Sequence, residues 1–240
     1  MSAINLCPIF FYSHTNSSKG DTRFLSNLYE IKDGVTLSPN VRRYWKRSVD
    51  LPEKVPSAEH AYQALKPYEN DADAYFILGL ACGKDDCEMC KDGTKLRPLS
   101  STNVARFGQG RFSPNKFQKE WLKAHGSCTV EGRKPEISAI GLQWLNENCI
   151  HLMMNIIRDK FKHCSHLGRD LMAFYSATQS AFFVENTKND KIWADGGDGT
   201  GTNYLGKLLT IRLHELVTGK DVKELDMEYM NKPNREIIEY

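Results

Sequence analysis

Five glycines fall within the eleven residues from Gly196 to Gly206, inside the stretch 188–212 that reads KNDKIWADGGDGTGTNYLGKLLTIR. Glycine adopts positive φ and lets a ligand or another backbone approach closely, so the centre of this stretch can be neither regular helix nor regular strand. Backbone N–H groups in such a loop, followed by a helix N-terminus, make a ready anion site. A long solvated turn accounts for the glycines as well. Three details favour a site: Trp193 opens the loop, Asp195 and Asp198 lie inside it, and Asn203 stands where the next helix should begin. Gly196, Gly197 and Asn203 are the expected phosphate contacts.

The 240 residues are 40% apolar and 26% charged, enough for a sizeable core in an ordinary globular protein. A net charge of +2 gives no bulk attraction for nucleic acid but permits a local basic groove. No run is long enough to span a membrane. The N-terminal residues lack the basic and apolar segments of a secretory leader. Seven cysteines, an odd number spread along the chain, do not form a secreted disulfide framework. Reduced thiols and an intracellular location, cytoplasmic or nuclear, are expected.

Along the chain, residues 8–12 read as a short strand and 13–21 as a polar turn. Phe24, Ser26 and Asn27 follow in a mixed segment, where Ser26 and Asn27 either complete a turn or point into a pocket. Residues 34–50 interleave Arg42, Arg43, Lys46 and Arg47 with Tyr44 and Trp45, a pattern suited to phosphates and bases or to a solvated face. Ser57 caps a helix over 58–66, and Pro67 stops it. On that helix Glu59, Tyr62 or Gln63, and Lys66 share one face. Further helices are expected over 75–82, 100–108, from 113 or 114 to 125, over 136–164 as one helix or two, over 167–175 and over 206–216. Residues 181–185 read as a strand, and the charged tail 218–240 as a surface helix. The fold class is mainly α with a few short strands, as a single domain over 9–217.

Cys87 and Cys90 stand in C-x-x-C spacing, with Cys82 nearby. A zinc site usually draws on two such pairs. Cys128, His125 or His163 could complete one, but the spacing does not demand it, and no metal is expected.

Four blocks of this chain resemble the NADAR, or YbiA-like, family: Phe11-Tyr12 with Phe24 to Asn27; Pro56 to Lys66 (PSAEHAYQALK), similar to PTxEHYFQAxK; Met153 to Phe161 with Trp144 upstream; and Val184 to Arg212 with Trp193, Asp195-Gly196-Gly197, Gly201, Asn203 and Gly206. The order holds from about residue 9 to 217. Leu28, Ala194 and Gln109 depart from the family pattern. The resemblance implies an N-glycosidase fold with no cofactor, acting on a ribose C1–N bond. The partner it implies is an ADP-ribose moiety on nucleic acid or a nucleotide, in particular ADP-ribosylated guanine. A ribosylamino-pyrimidine phosphate of riboflavin synthesis and a non-catalytic ADP-ribose reader are the alternatives.

Cleaving a C–N glycoside builds positive charge on the sugar, which a carboxylate stabilises while an acid assists the departing nitrogen. Glu59 is the expected carboxylate. Lys66 is the expected amine, as nucleophile, acid or phosphate contact. Asp195 is the second carboxylate. Tyr62 and Trp193 are expected to stack on base or ribose. Phe24, Ser26, Asn27, Gln63 and Arg106 complete the expected substrate contacts.

Overall fold

A computed structural model describes residues 7–11, 22–83, 87–91, 96–131, 133–178 and 181–237. Tyr12, the polar turn 13–21 and parts of the cysteine-bearing insertion lie outside them. In chain order the elements are β1 (Cys7–Phe11), β2 (Val35–Thr36), α1 (Pro39–Arg42), β3 (Lys54–Val55), α2 (Ala58–Ala64), α3 (Asp71–Leu78), α4 (Glu88–Lys91), α5 (Ser101–Gly108), α6 (Lys116–Ala124), α7 (Ala139–Lys160), α8 (His166–Thr178), β4 (Ala181–Glu185), α9 (Tyr204–Thr218) and α10 (Met227–Asn231). The chain is mainly helical with a few short strands. No helix among the described residues is long and apolar enough to cross a membrane.

The chain divides into two compact units, Glu30–Asp159 and the combination of Met1–Tyr29 with Lys160–Tyr240. In the first, Ser57 caps α2 by accepting the His60 N–H. The helix ends at Ala64, with Leu65 as C-cap, two residues before the expected end. Pro67 explains the difference, since the residue before a proline is driven from helical backbone angles. Helix α2 packs against α3 and α5, and α3 against α6. Asn70 caps α3, and Gly79, left-handed at φ 67°, ends it. A capping box of Asn115 and Gln118 starts α6. The region 136–164 holds one unbroken 22-residue helix, α7.

In the second unit β1 and β4 pair in parallel, with Cys7 opposite Ala181 and Phe11 opposite Glu185. Helix α9 lies against β4 and α8. A Cβ on Gly206 would collide with the Phe183 carbonyl, so only glycine permits this approach of α9 to β4. The C-terminal tail is built into the unit. Buried Lys207 donates to the carbonyls of Tyr229, Met230 and Lys232, at 3.1, 2.8 and 2.6 Å, which anchors the end of α10. Met230 and Asn234 are fully buried, unlike residues of a surface helix.

Candidate active site

Helix α2 is short, yet it gathers three of the expected residues, Glu59, Tyr62 and Gln63. The Gln63 amide donates to Glu59 Oε1 at 2.8 Å and accepts from the Tyr68 hydroxyl at 3.3 Å. Both ends of that amide are thereby held, which fixes the carboxylate beside it. Burial holds the Tyr68 hydroxyl well above its usual pKa, so it stays a neutral donor. A Cβ on Gly108 would strike the Gln63 side-chain oxygen, so α5 closes against this amide with no room to spare.

Lys66 lies one residue past the C-cap rather than on the helix face. Its ammonium still reaches back over the Tyr62 ring, 4.9 Å from the centroid. Burial pushes the Lys66 amine below the ordinary lysine range; the Glu59 carboxylate opposes that shift, as does Cys149, and Lys134 adds to it. The Lys66 carbonyl accepts from Arg47 at 2.5 Å. Arg47 also pairs with Asp71 at 3.0 Å and stacks over Trp45. Arg42 donates to the carbonyls of Leu51 and Pro52. Two of the four basic residues in 34–50 therefore brace the fold, while Arg43 and Lys46 are exposed. Leu65, Pro67 and Tyr68, flanking Lys66, line a cavity of about 380 Å³ with Tyr44, Arg47 and Trp144. The Tyr44 and Trp144 rings meet edge to face at 5.5 Å. Arg106 stands exposed in the last turn of α5.

In the other unit, several expected contacts belong to the scaffold. Phe24 packs on Phe161 and Phe174. Ser26 is buried; its hydroxyl accepts the Leu28 N–H, and Asn27 beside it is also buried. The glycine-rich loop is no open anion cradle. Its N–H groups at Gly196, Gly197, Thr200 and Gly201 donate to the Asp190 carbonyl, Asp195 Oδ1, Asp198 Oδ1 and the Asp195 carbonyl. Acceptors carried by the loop's own aspartates consume the donors that a phosphate needs.

Asp195 is fully buried, its carboxylate taken by Gly197 and by Asn186 at 3.4 Å, so it shapes the loop rather than meeting ribose or water. Asn203, also fully buried and left-handed at φ 52°, donates to the Phe183 carbonyl and Asn234 and accepts from the Glu185 N–H. It is a brace between β4 and the loop, not a phosphate contact. Trp193 remains half-buried, edge-on to Tyr204 at 5.9 Å.

One group with unusual chemistry escaped sequence reasoning. Lys160, the last residue of α7, is 3% exposed and donates to the Ser26 carbonyl at 2.6 Å. Burial lowers its pKa to about 7 against the pull of the Glu185 carboxylate. Between that value and the unfolded value of 10.5 the unfolded chain binds more protons. Stability should therefore rise with pH from about 7 to about 10, by up to a few kcal/mol for full relief of the burden. Lys160→Met should lack this rise in urea unfolding. Parallel stability–pH curves for wild type and variant would contradict the assignment. A lysine ending an apolar helix reads as surface; only its place in the Met153 to Phe161 block marked it.

The chain is 43% identical over 155 residues to N-glycosidase YbiA of Escherichia coli (strain K12), and equally to that of Shigella boydii serotype 4 (strain Sb227). Those alignments cover 64% of this chain and 66% of each relative, just under two thirds of its length. A riboflavin biosynthesis protein of Vibrio vulnificus (strain YJ016) is 36% identical over 110 residues, 44% of this chain and 28% of that protein. No protein-family profile matches the chain. No solved structure matches it. With the motif blocks in order and these identities, the chain belongs to the NADAR, or YbiA-like, family.

Proposed function

We propose that this protein is an N-glycosidase that breaks a ribose C1–N bond, and that its substrate is ADP-ribosylated guanine in nucleic acid. The observation that carries the reading is the α2 cluster, in which a carboxylate held by Gln63 lies near an amine whose pKa burial lowers. A depressed pKa raises the fraction of neutral Lys66 at physiological pH, as a nucleophilic amine requires. In the proposed reaction Lys66 Nζ bonds to C1 as the C1–N bond to the base breaks. The proton lost by the amine passes through Glu59 to the departing nitrogen. Opening of the ribose ring, its oxygen taking a proton from solvent, gives an iminium between C1 and Nζ. Water adds to C1, a proton returns to solvent as the C1–Nζ bond breaks, and the sugar leaves as its aldehyde with Lys66 restored. The Glu59 carboxylate stabilises the positive charge that develops on the sugar.

The cavity flanking Lys66 supports a planar, phosphate-bearing substrate. Tyr44 and Trp144 offer aromatic faces and Lys46 supplies positive charge at its wall, where Arg47 is paired with Asp71. The relatives named as N-glycosidases support the bond class. The riboflavin biosynthesis relative favours a second reading, the same chemistry on a ribosylamino-pyrimidine phosphate.

Purified protein offered an oligonucleotide bearing ADP-ribosylated guanine should release ADP-ribose, followed by chromatography. Cleavage of the pyrimidine phosphate alone would establish the second reading instead. Binding of ADP-ribose with no cleavage of either compound would identify a reader.

The role of Gln63 has its own test. Gly108→Ala should swing the Gln63 side chain, a cheap movement for stability, and release Glu59 from its hydrogen bond. Turnover is expected to fall about 10- to 100-fold, since small misplacements of a catalytic group are costly. The thermal midpoint should scarcely move. Full activity in this variant would show that Gln63 does not orient Glu59.

A further inference from the structure

We propose that Cys82, Cys87, Cys90 and His125 form a zinc site that staples the end of α3, helix α4 and the end of α6. The expectation of no metal rested on finding one C-x-x-C pair without a demanded partner. Folding supplies the partners. Gly79 turns the chain out of α3 towards Cys82, α4 follows Cys87 and contains Cys90, and His125 is the C-cap of α6. The three sulfurs and one imidazole nitrogen all lie within 4.8 Å of one another. Cys87 Sγ and His125 Nε2 are 3.3 Å apart. Tetrahedral zinc, with bonds of about 2.3 Å to sulfur and about 2.0 Å to nitrogen, sets S···N near ~3.5 Å and S···S near ~3.8 Å. The set is therefore within a small contraction of coordination geometry.

The groups around these atoms are arranged as outer ligands of a metal site. His125 Nδ1 lies 2.7 Å from the Trp121 carbonyl, to which it donates, so Nε2 keeps its lone pair for a metal. The imidazole also stacks on the Trp121 ring at 4.0 Å, which fixes its plane. Hydrogen bonds from the Cys82 backbone and the Trp121 side chain reach the Cys90 sulfur. The Cys90 N–H closes a turn on the Cys87 carbonyl at 2.9 Å, so that both thiols of the pair serve one centre. Cys128 is engaged elsewhere, its sulfur donating to the Lys134 carbonyl.

Three thiolates and an imidazole form a soft, closed set that suits zinc in a structural role and leaves no position for substrate. The metal binds as the thiols lose their protons to solvent, and nothing is oxidised or reduced. This site is separate from the α2 cluster and does not depend on the proposed glycosidase reaction.

The full chain, expressed with zinc in the medium and purified without chelator, should carry about one zinc per chain by elemental analysis. Cys90→Ser and His125→Ala should each lose most of it. If these variants fail to fold, wild-type protein decides the matter. Cobalt(II) in place of zinc should give the visible bands of tetrahedral coordination with near-ultraviolet sulfur-to-cobalt charge transfer. Bound zinc should shield Cys82, Cys87 and Cys90 from iodoacetamide while exposed Cys164 reacts. Wild-type protein without zinc and without tetrahedral cobalt bands would overturn the proposal. So would zinc retained unchanged in both folded variants, or alkylation of the three cysteines unaffected by zinc.

Discussion

Glu59→Gln is expected to lower the rate of base release by about 10³-fold, the scale of losing a charge-stabilising and proton-transferring carboxylate. Shape barely changes, since glutamine is isosteric and its amide oxygen can still accept from Gln63 at the position of Glu59 Oε1. What disappears is the negative charge beside the developing cation. Unfolding free energy should stay within about 1 kcal/mol of wild type, because Glu59 is only half-buried. Substrate affinity should be largely kept. Circular dichroism and single-turnover kinetics on the same preparation separate these quantities. A loss of activity matched by a loss of folded protein or of bound substrate would remove Glu59 from the chemistry.

Lys66→Met should be as damaging to turnover, about 10³-fold or more, while leaving the protein as stable as before or more so. The two effects share one cause. Burial lowers the Lys66 pKa because the charged amine is poorly solvated there, and that same cost weighs on the folded state at neutral pH. Methionine fills the same volume without the charge; the contact with the Tyr62 ring and the attraction of Glu59 are forfeited, but burial outweighs that attraction. Removing the amine should also lift the chemical step's dependence on Lys66 ionisation, so any residual activity should show a flatter pH profile. A variant that loses stability and activity together would make Lys66 a structural residue.

The α2 cluster was legible in the sequence because its determinants are local. Ser57 as cap, the helix-forming run behind it and the spacing of Glu59, Tyr62 and Gln63 all act within two turns. Even the early end of the helix has a local cause in Pro67. The glycine-rich loop was legible as a loop but not as a closed one. Its donors are spent on Asp190, Asp195 and Asp198, and Asn203 is spent on Phe183, Glu185 and Asn234, partners that only the tertiary fold selects. Lys160 and His125 share that limit. The partners of buried Lys160, the Ser26 carbonyl and the Glu185 carboxylate, are far away in sequence, and His125 meets the cysteines only after α6 has packed on α3.

The claim that Lys66 is the reacting amine is tested most directly by adding borohydride during turnover and mapping the modified peptide by mass spectrometry. An iminium at Lys66 is reduced to a stable secondary amine, so the account predicts one sugar adduct per modified chain, on Lys66, absent from Lys66→Met. Full turnover in borohydride with no adduct would contradict the nucleophilic route and leave Lys66 as an acid. An adduct on Lys160, whose pKa burial lowers to about 7, would contradict the assignment of the centre itself.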